Sequence, residues 1–194
     1  MVSCVLLSAG ESQRFGSPKA LAKTSRQTAI EDLQNTLLAS IADEIIVVLG
    51  SYFDAVKPHV FNHKKVRIVY NKNYKLGQTS SFQTGLSAVG NETCAVLLVP
   101  VDCPLILTST VDLLIRHFKQ NNPAILIPAY QSKRGHPPVF SASLKAEILT
   151  LSSSTGLNSL FAGHAPQTLE INDPGIIQTF NTPAELEAIK KGTP

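Results

Sequence analysis

The stretch from Val2 to Leu21, "VSCVLLSAGESQRFGSPKAL", decides the fold. Its first residues form a nearly continuous apolar run of strand length. The run then breaks at Ser8 into glycine, serine, arginine and lysine rather than into an ordinary turn. A strand that is apolar on successive positions is covered on both faces, as in parallel sheets flanked by helices. Such sheets take their ligands beyond the carboxyl ends of the strands, which is where the glycine-rich cationic segment falls.

The same pattern repeats outward from this stretch. Strand-length runs follow in "EIIVVLG" from Glu44, "VRIVY" from Val66, "CAVLLVP" from Cys94 and "AILIP" from Ala124. Helical periods fill the intervals over residues 30–40, 53–61, 79–89 and 111–120. The alternation predicts an α/β sandwich on a largely parallel sheet. Thr28 and Glu31 have capping-box spacing, and Thr182, Pro183 and Glu185 supply an N-cap, an N1 proline and an N3 acid. The segment "AYQSKRGHPPVF" from Ala129 predicts a hairpin-like excursion, and "SSST" from Ser152 a loop ahead of Gly156.

Composition sets the outer limits. With 194 residues, 43% hydrophobic, the chain suits one domain spanning 1–194. A net charge of +3 is too mild and dispersed to call for nucleic acid or an anionic membrane, and leaves small anions such as phosphates as ligands. The N-terminus enters a strand without a basic leader, and no apolar run approaches the roughly 20 residues of a bilayer span, so the expected compartment is cytoplasmic. Cys4, Cys94 and Cys103 are widely spaced without a CxxC pair, which argues against disulfides or a structural zinc.

Three strand ends carry candidate chemistry. In the first loop Gly10 and Gly16 permit close backbone approach to an anion, while Arg14 and Lys19 add positive charge. Five residues separate the glycines and Lys19 lies three beyond, which excludes a Walker motif; Gly10 lacks the second glycine of a dinucleotide fingerprint. A plain βα turn with solvated charges is the alternative. In "LLVPVDCPL", Asp102 follows a buried strand and is placed to hold a hard divalent cation, or else forms an Asp-Pro type of turn. In "NKNYKLGQTSSFQTGL", Asn71 ends a strand while Gly77, Ser80 and Ser81 open a helix, where hydroxyls and amides read a nucleotide or serve as caps. His59 and His63 have helical metal-pair spacing but lack an acidic partner in sequence, and a solvated face is favoured. His136, with Lys133 and Arg134 nearby, lies in a loop that suits an anionic substrate. Cys103 reads as a packed thiol, since no base is in sight.

Taken together these blocks resemble the molybdenum cofactor nucleotidyltransferases. "LLSAGESQRFGSPKAL" is similar to their signature LAAGxSxRMGxxK. "NKNYKLGQTSSFQTGL", "VPVDCPLI", "RGHPPVF" and "INDPGIIQTFNTPAEL" follow in the order typical of the molybdopterin cytidylyltransferase branch. The resemblance implies a Rossmann-like three-layer α/β/α sandwich with a mostly parallel, mixed sheet. It implies that Leu7, Ser8, Ala9, Gly10, Ser12 and Gly16 bind the nucleotide, with Asn71, Gly77, Ser80 and Ser81 along it. Arg14, Lys19 and Asp102 would be catalytic, Asp102 and Asn181 would hold Mg²⁺, and Gly135, His136 and Pro137 would face the acceptor. The implied reaction transfers a nucleotide from an NTP, CTP first, to molybdopterin or a related phosphorylated acceptor and releases pyrophosphate; a molybdoenzyme is a candidate partner.

Two departures qualify the match. Where the family has Asp-Ile-Asp-Thr-Pro, this chain has Thr179 to Pro183, so the amide Asn181 replaces a carboxylate. Where the branch has Gly-Asp-x-Gly-Ala-Arg, this chain has Ser153 to Asn158, without either charge. The alternatives are a sugar-1-phosphate nucleotidyltransferase and a non-catalytic module that binds and delivers nucleotide or cofactor.

Overall fold

The computed structural model describes residues 1–24, 27–153 and 155–192. Eight strands form one sheet: β1 (Val2–Ser8), β2 (Glu44–Leu49), β3 (Val66–Tyr70), β4 (Ala95–Pro100), β5 (Ile125–Tyr130), β6 (Lys133–Arg134), β7 (Val139–Ser141) and β8 (Gln167–Glu170). Their order is β3-β2-β1-β4-β7-β5-β6, with β8 pairing β5. The first four are mutually parallel, β8 is parallel to β5, and β7 runs antiparallel between β4 and β5. The mixed sheet therefore has β1 and β4 as neighbours at its centre, with their carboxyl ends side by side.

Helices cover both faces, and the strand residues divide between them by parity. Cys4, Leu6, Val47 and Leu97 face α1 (Ala29–Ala39) and α4 (Thr108–Asn121), packing with Leu33, Leu37, Leu114 and Phe118. Val5, Val48, Val96 and Leu98 face α3 (Gln78–Ala88) and α5 (Lys145–Thr150), packing with Phe82, Leu86 and Ile148. This double coverage is why β1 and β4 are fully buried and read as continuous apolar runs.

Two expectations from the sequence need correction. The period over residues 53–61 does not give one helix: α2 (Phe53–Val56) gives way to a 3-10 turn over Lys57–His59, because Pro58 has no N–H to continue the α ladder. β3 is not covered on both faces; it is the sheet's edge, with Ile68 and Tyr70 exposed. Of the two histidines with helical spacing, His59 Nδ1 lies 3.0 Å from Glu31 Oε1 and His63 Nδ1 accepts from the Lys65 amide. The excursion after β5 is a hairpin as expected, with Gln131 and Ser132 both at positive φ in its two-residue turn. Of "SSST", Ser154 lies outside the described residues.

The start of α1 carries a pH signature. Glu31 accepts from the Thr28 backbone N–H at 2.9 Å, and this bond together with His59 and the Thr28 hydroxyl lowers its carboxyl to about 2 from 4.5. A carboxyl depressed by folding stabilises the folded chain above its unfolded value, and that stability is lost as pH falls through the folded value. Denaturant midpoints should therefore drop between pH 4.5 and about 2, and Glu31→Gln should flatten that part of the profile. Identical acid profiles in the two proteins would exclude the bond as a source of stability.

Candidate functional site

The cationic loop closes over the carboxyl edge of the sheet because local bonds fold it back. Ser12, at φ 50°, accepts from the amides of Phe15 and Gly16 through its carbonyl, and its hydroxyl accepts from the Lys19 amide. Gly16 takes φ 79°, a left-handed conformation that a side chain would strain. The loop's far side is pinned by Phe15, whose ring packs 5.4 Å from that of Phe180. Phe180 in turn donates its amide to the Asp102 carbonyl, so the loop, the end of β4 and the C-terminal segment are tied together.

These ties bring four side chains into one cluster. Lys19 Nζ lies 3.0 Å from Asp102 Oδ2 and 2.9 Å from Asn181 Oδ1, and Arg14 donates to the same Asn181 oxygen at 3.1 Å. The bonded pairs lie as far apart in sequence as Arg14 and Asn181, 167 positions, and only the tertiary fold joins them. The cluster lines a cavity of about 440 Å³ whose walls include Leu7, Ser8, Ala9, Gly10, Ser12, Gly77 and Ser81. Lys19 and Asp102 retain 15% and 26% of their side-chain exposure, so their charges face the cavity under partial shielding from water.

Other expected residues lie elsewhere. Asn71 and Ser80 sit behind this wall: the Asn71 amide donates to Ser80 Oγ and Ser81 Oγ, its oxygen accepts from the Asn73 amide, and Ser80 Oγ donates to the Asn73 carbonyl. With their polar atoms spent in this way, they shape the turn into α3 and do not line the cavity. Gly16 is likewise absent from the wall and serves the turn.

A second cavity of about 620 Å³ adjoins the first, sharing Gly77 and Gln78 in its lining. Gly135 and His136 line it, whereas Pro137 is buried outside it. Its floor is apolar, with Leu98, Ile127 and Phe140, and its rim carries Arg134 stacked 5.8 Å over the Phe161 ring. Gly135 is required by close approach: a Cβ there would meet the Ile176 carbonyl oxygen at 2.5 Å. His136 is held by its own amide, which donates to that carbonyl. Burial lowers the pKa of its imidazole, partly opposed by Asp102, so the ring is neutral near pH 7. Its buried Nδ1 has no hydrogen-bond partner among the described residues.

Sequence reasoning missed Asp173, a buried carboxylate that accepts from Gly175 N, Leu107 N and Thr110 Oγ1. It fixes the 3-10 turn over Pro174–Ile177, against which the His136 loop rests. The Asp-Pro-Gly spelling was its one local signal. Phe161 was also missed, since a single aromatic in a short loop has no periodicity to mark it. Cys103 is the packed thiol expected: it is buried, donates to the Gly175 carbonyl, and burial raises its pKa.

The parallel strands of this mixed sheet end beneath a cationic glycine loop with an acidic side chain facing it, an arrangement suited to nucleotide phosphates. The chain belongs to the family of the MobA-like NTP transferase domain, whose model matches residues 4–169. Its curated relatives include a nicotine blue oxidoreductase of Paenarthrobacter nicotinovorans, 31% identical over 89% of this chain and 86% of that protein. They also include the molybdenum cofactor cytidylyltransferase of Escherichia coli, 23% identical over 98% and 96%. Among solved structures, Rv0371c of Mycobacterium tuberculosis has a TM-score of 0.85 at 22% identity, covering 98% of this chain and 97% of that one. Its manganese complex has a TM-score of 0.81 at 20% identity, covering 99% of each. Among the described residues no helix is long and apolar enough to cross a membrane.

Proposed function

We propose that this chain transfers a nucleotidyl group, CMP from CTP, to the phosphate of molybdopterin or a related phosphorylated heterocycle. An acceptor phosphate oxygen attacks the α-phosphorus, the bond from that phosphorus to the bridging oxygen breaks, and pyrophosphate leaves. The observation that carries this reading is the convergence of Lys19, Arg14, Asp102 and Asn181 on one cavity that opens onto a second at Gly77 and Gln78. Phosphoryl chemistry of this kind needs positioning and charge neutralisation rather than a protein nucleophile.

Each residue has a role in that scheme. Lys19 and Arg14 hold and neutralise the triphosphate, and the amides of Ala9 and Gly10 approach it from the loop. Asp102 Oδ and Asn181 Oδ1 are oxygen donors suited to Mg²⁺ or Mn²⁺, with nucleotide phosphates completing the shell. Such an ion, when bound, neutralises charge on the phosphate oxygens; the manganese complex of Rv0371c supports a divalent ion in this fold. The second cavity favours a flat heterocycle over a sugar, because its floor is aliphatic and aromatic and no carboxylate among the described residues lines it to bind hydroxyls. Arg134 supplies a cation for the acceptor phosphate, and His136 contributes to the wall that the ring system faces.

Melting with Mg²⁺ and each of CTP, GTP, UTP and ATP tests the nucleotide. CTP is expected to raise the melting temperature most, since a ligand that binds only the native state stabilises it. A clear preference for UTP would favour the sugar-phosphate alternative instead. A second reading follows from the 31% identical relative named an oxidoreductase, together with the apolar acceptor cavity: redox chemistry on a flat aromatic acceptor. It predicts a change in the acceptor's oxidation state, at the expense of an added reductant, without pyrophosphate release, and an absorbance assay run beside a pyrophosphate assay separates the two.

A further inference from the structure

We infer that the Lys19 ammonium occupies the cation position between Asp102 and Asn181 in the nucleotide-free chain, so that a divalent ion binds weakly there until nucleotide draws Lys19 away. The inference deepens the nucleotidyltransferase reading and rests on it.

Two oxygens at this site suit a hard ion, and both are already turned toward cations. Asp102 Oδ2 accepts from Lys19 Nζ at 3.0 Å; Asn181 Oδ1 accepts from Lys19 Nζ at 2.9 Å and from Arg14 at 3.1 Å. Among the side chains bonded to the two oxygens, one carboxylate faces an ammonium and a guanidinium, so that cluster is net positive before any metal arrives; the Glu185 carboxylate is turned to the Asn181 and Thr182 backbone amides instead. A free divalent ion would be repelled, and would have to displace Lys19 from its ion pair to reach either oxygen. Among the described residues no group of three or more His, Cys, Asp or Glu side chains could hold a metal elsewhere.

A carboxylate at position 181 would balance the excess positive charge, but the amide does not. A triphosphate reverses the sign of the site. It also offers Lys19 and Arg14 stronger acceptors than an amide oxygen, which releases Asp102 and Asn181 for the metal. Nucleotide and metal therefore bind with positive coupling, and the coupling is reciprocal.

The test is Mn²⁺ binding to the full chain, followed by loss of the free-ion electron paramagnetic resonance signal. Without nucleotide, Lys19→Met is expected to bind Mn²⁺ about tenfold or more tightly than the unaltered chain, since it removes the competing cation. Asn181→Asp should also tighten binding, and Asp102→Asn should abolish it. With CTP present, Mn²⁺ affinity of the unaltered chain should rise at least about tenfold. Circular dichroism identifies which variants are folded, and either folded variant decides the matter. Free Mn²⁺ affinity that is unchanged or weaker in a folded Lys19→Met or Asn181→Asp protein overturns the inference, as does CTP binding that leaves Mn²⁺ affinity unchanged. If no nucleotide binds the unaltered chain, the proposed function fails, while the nucleotide-free comparison still decides who occupies the cation position.

Discussion

Lys19→Ala and Asp102→Ala proteins are each expected to release pyrophosphate from CTP roughly tenfold to several hundredfold more slowly than the unaltered chain, or worse, while remaining folded. A charge-assisted hydrogen bond contributes about 1.5–3 kcal/mol net, and about 1.4 kcal/mol of transition-state stabilisation is a factor of ten in rate. Both side chains keep part of their surface toward the cavity, so truncation removes charge from the site without opening the core. Lys19 also gives a distinctive pair of signs: losing it should slow turnover yet tighten free-metal binding. Single-turnover measurement of pyrophosphate release checks the first part. Unchanged rates in both variants would remove the assignment of this cavity to nucleotidyl transfer.

The second large effect is structural. Asp173→Ala should destabilise the chain by about 3 kcal/mol or more, because three donors lose a buried anionic acceptor at once. The turn over Pro174–Ile177 would loosen, and with it the carbonyl that holds the His136 amide. Urea denaturation measures the loss, and Asp173→Asn, which keeps part of the acceptor capacity, should recover some of it. A loss under about 1 kcal/mol for Asp173→Ala would mean that the network is dispensable.

His136 links stability to function on the acid side. Its pKa is lowered by burial, so protonation is disfavoured in the folded chain and the associated stability is lost as pH falls below 6.5. Acceptor binding against the His136 wall should weaken only at lower pH, once the folded ring itself takes a proton, whereas nucleotide binding at Lys19 should not follow it. A melting profile across pH 5 to 8, run with each ligand, separates the two.

Much of the architecture was legible because it depends on local pattern. The buried runs of β1 and β4, the caps at Thr28 and Thr182 and the hairpin after β5 follow from burial periodicity, capping chemistry and turn geometry. The edge position of β3 was not legible: "VRIVY" is apolar enough for a covered strand, and only the strand order leaves Ile68 and Tyr70 in the open. The fate of Asn71 and Ser80 was equally hidden, since a residue type that reads a ligand also suits a turn, and hydrogen-bond partners are chosen in three dimensions.

The sequence by itself determined a parallel α/β frame and the chemical character of the loop after β1, because covered strands and cationic glycine segments are written in consecutive residues. Tertiary structure alone decided that Lys19 lies between Asp102 and Asn181 and that the two cavities meet at Gly77. The reason is that electrostatic partnership depends on distance in space. Residues on separate segments become partners only once the core has fixed where each strand ends.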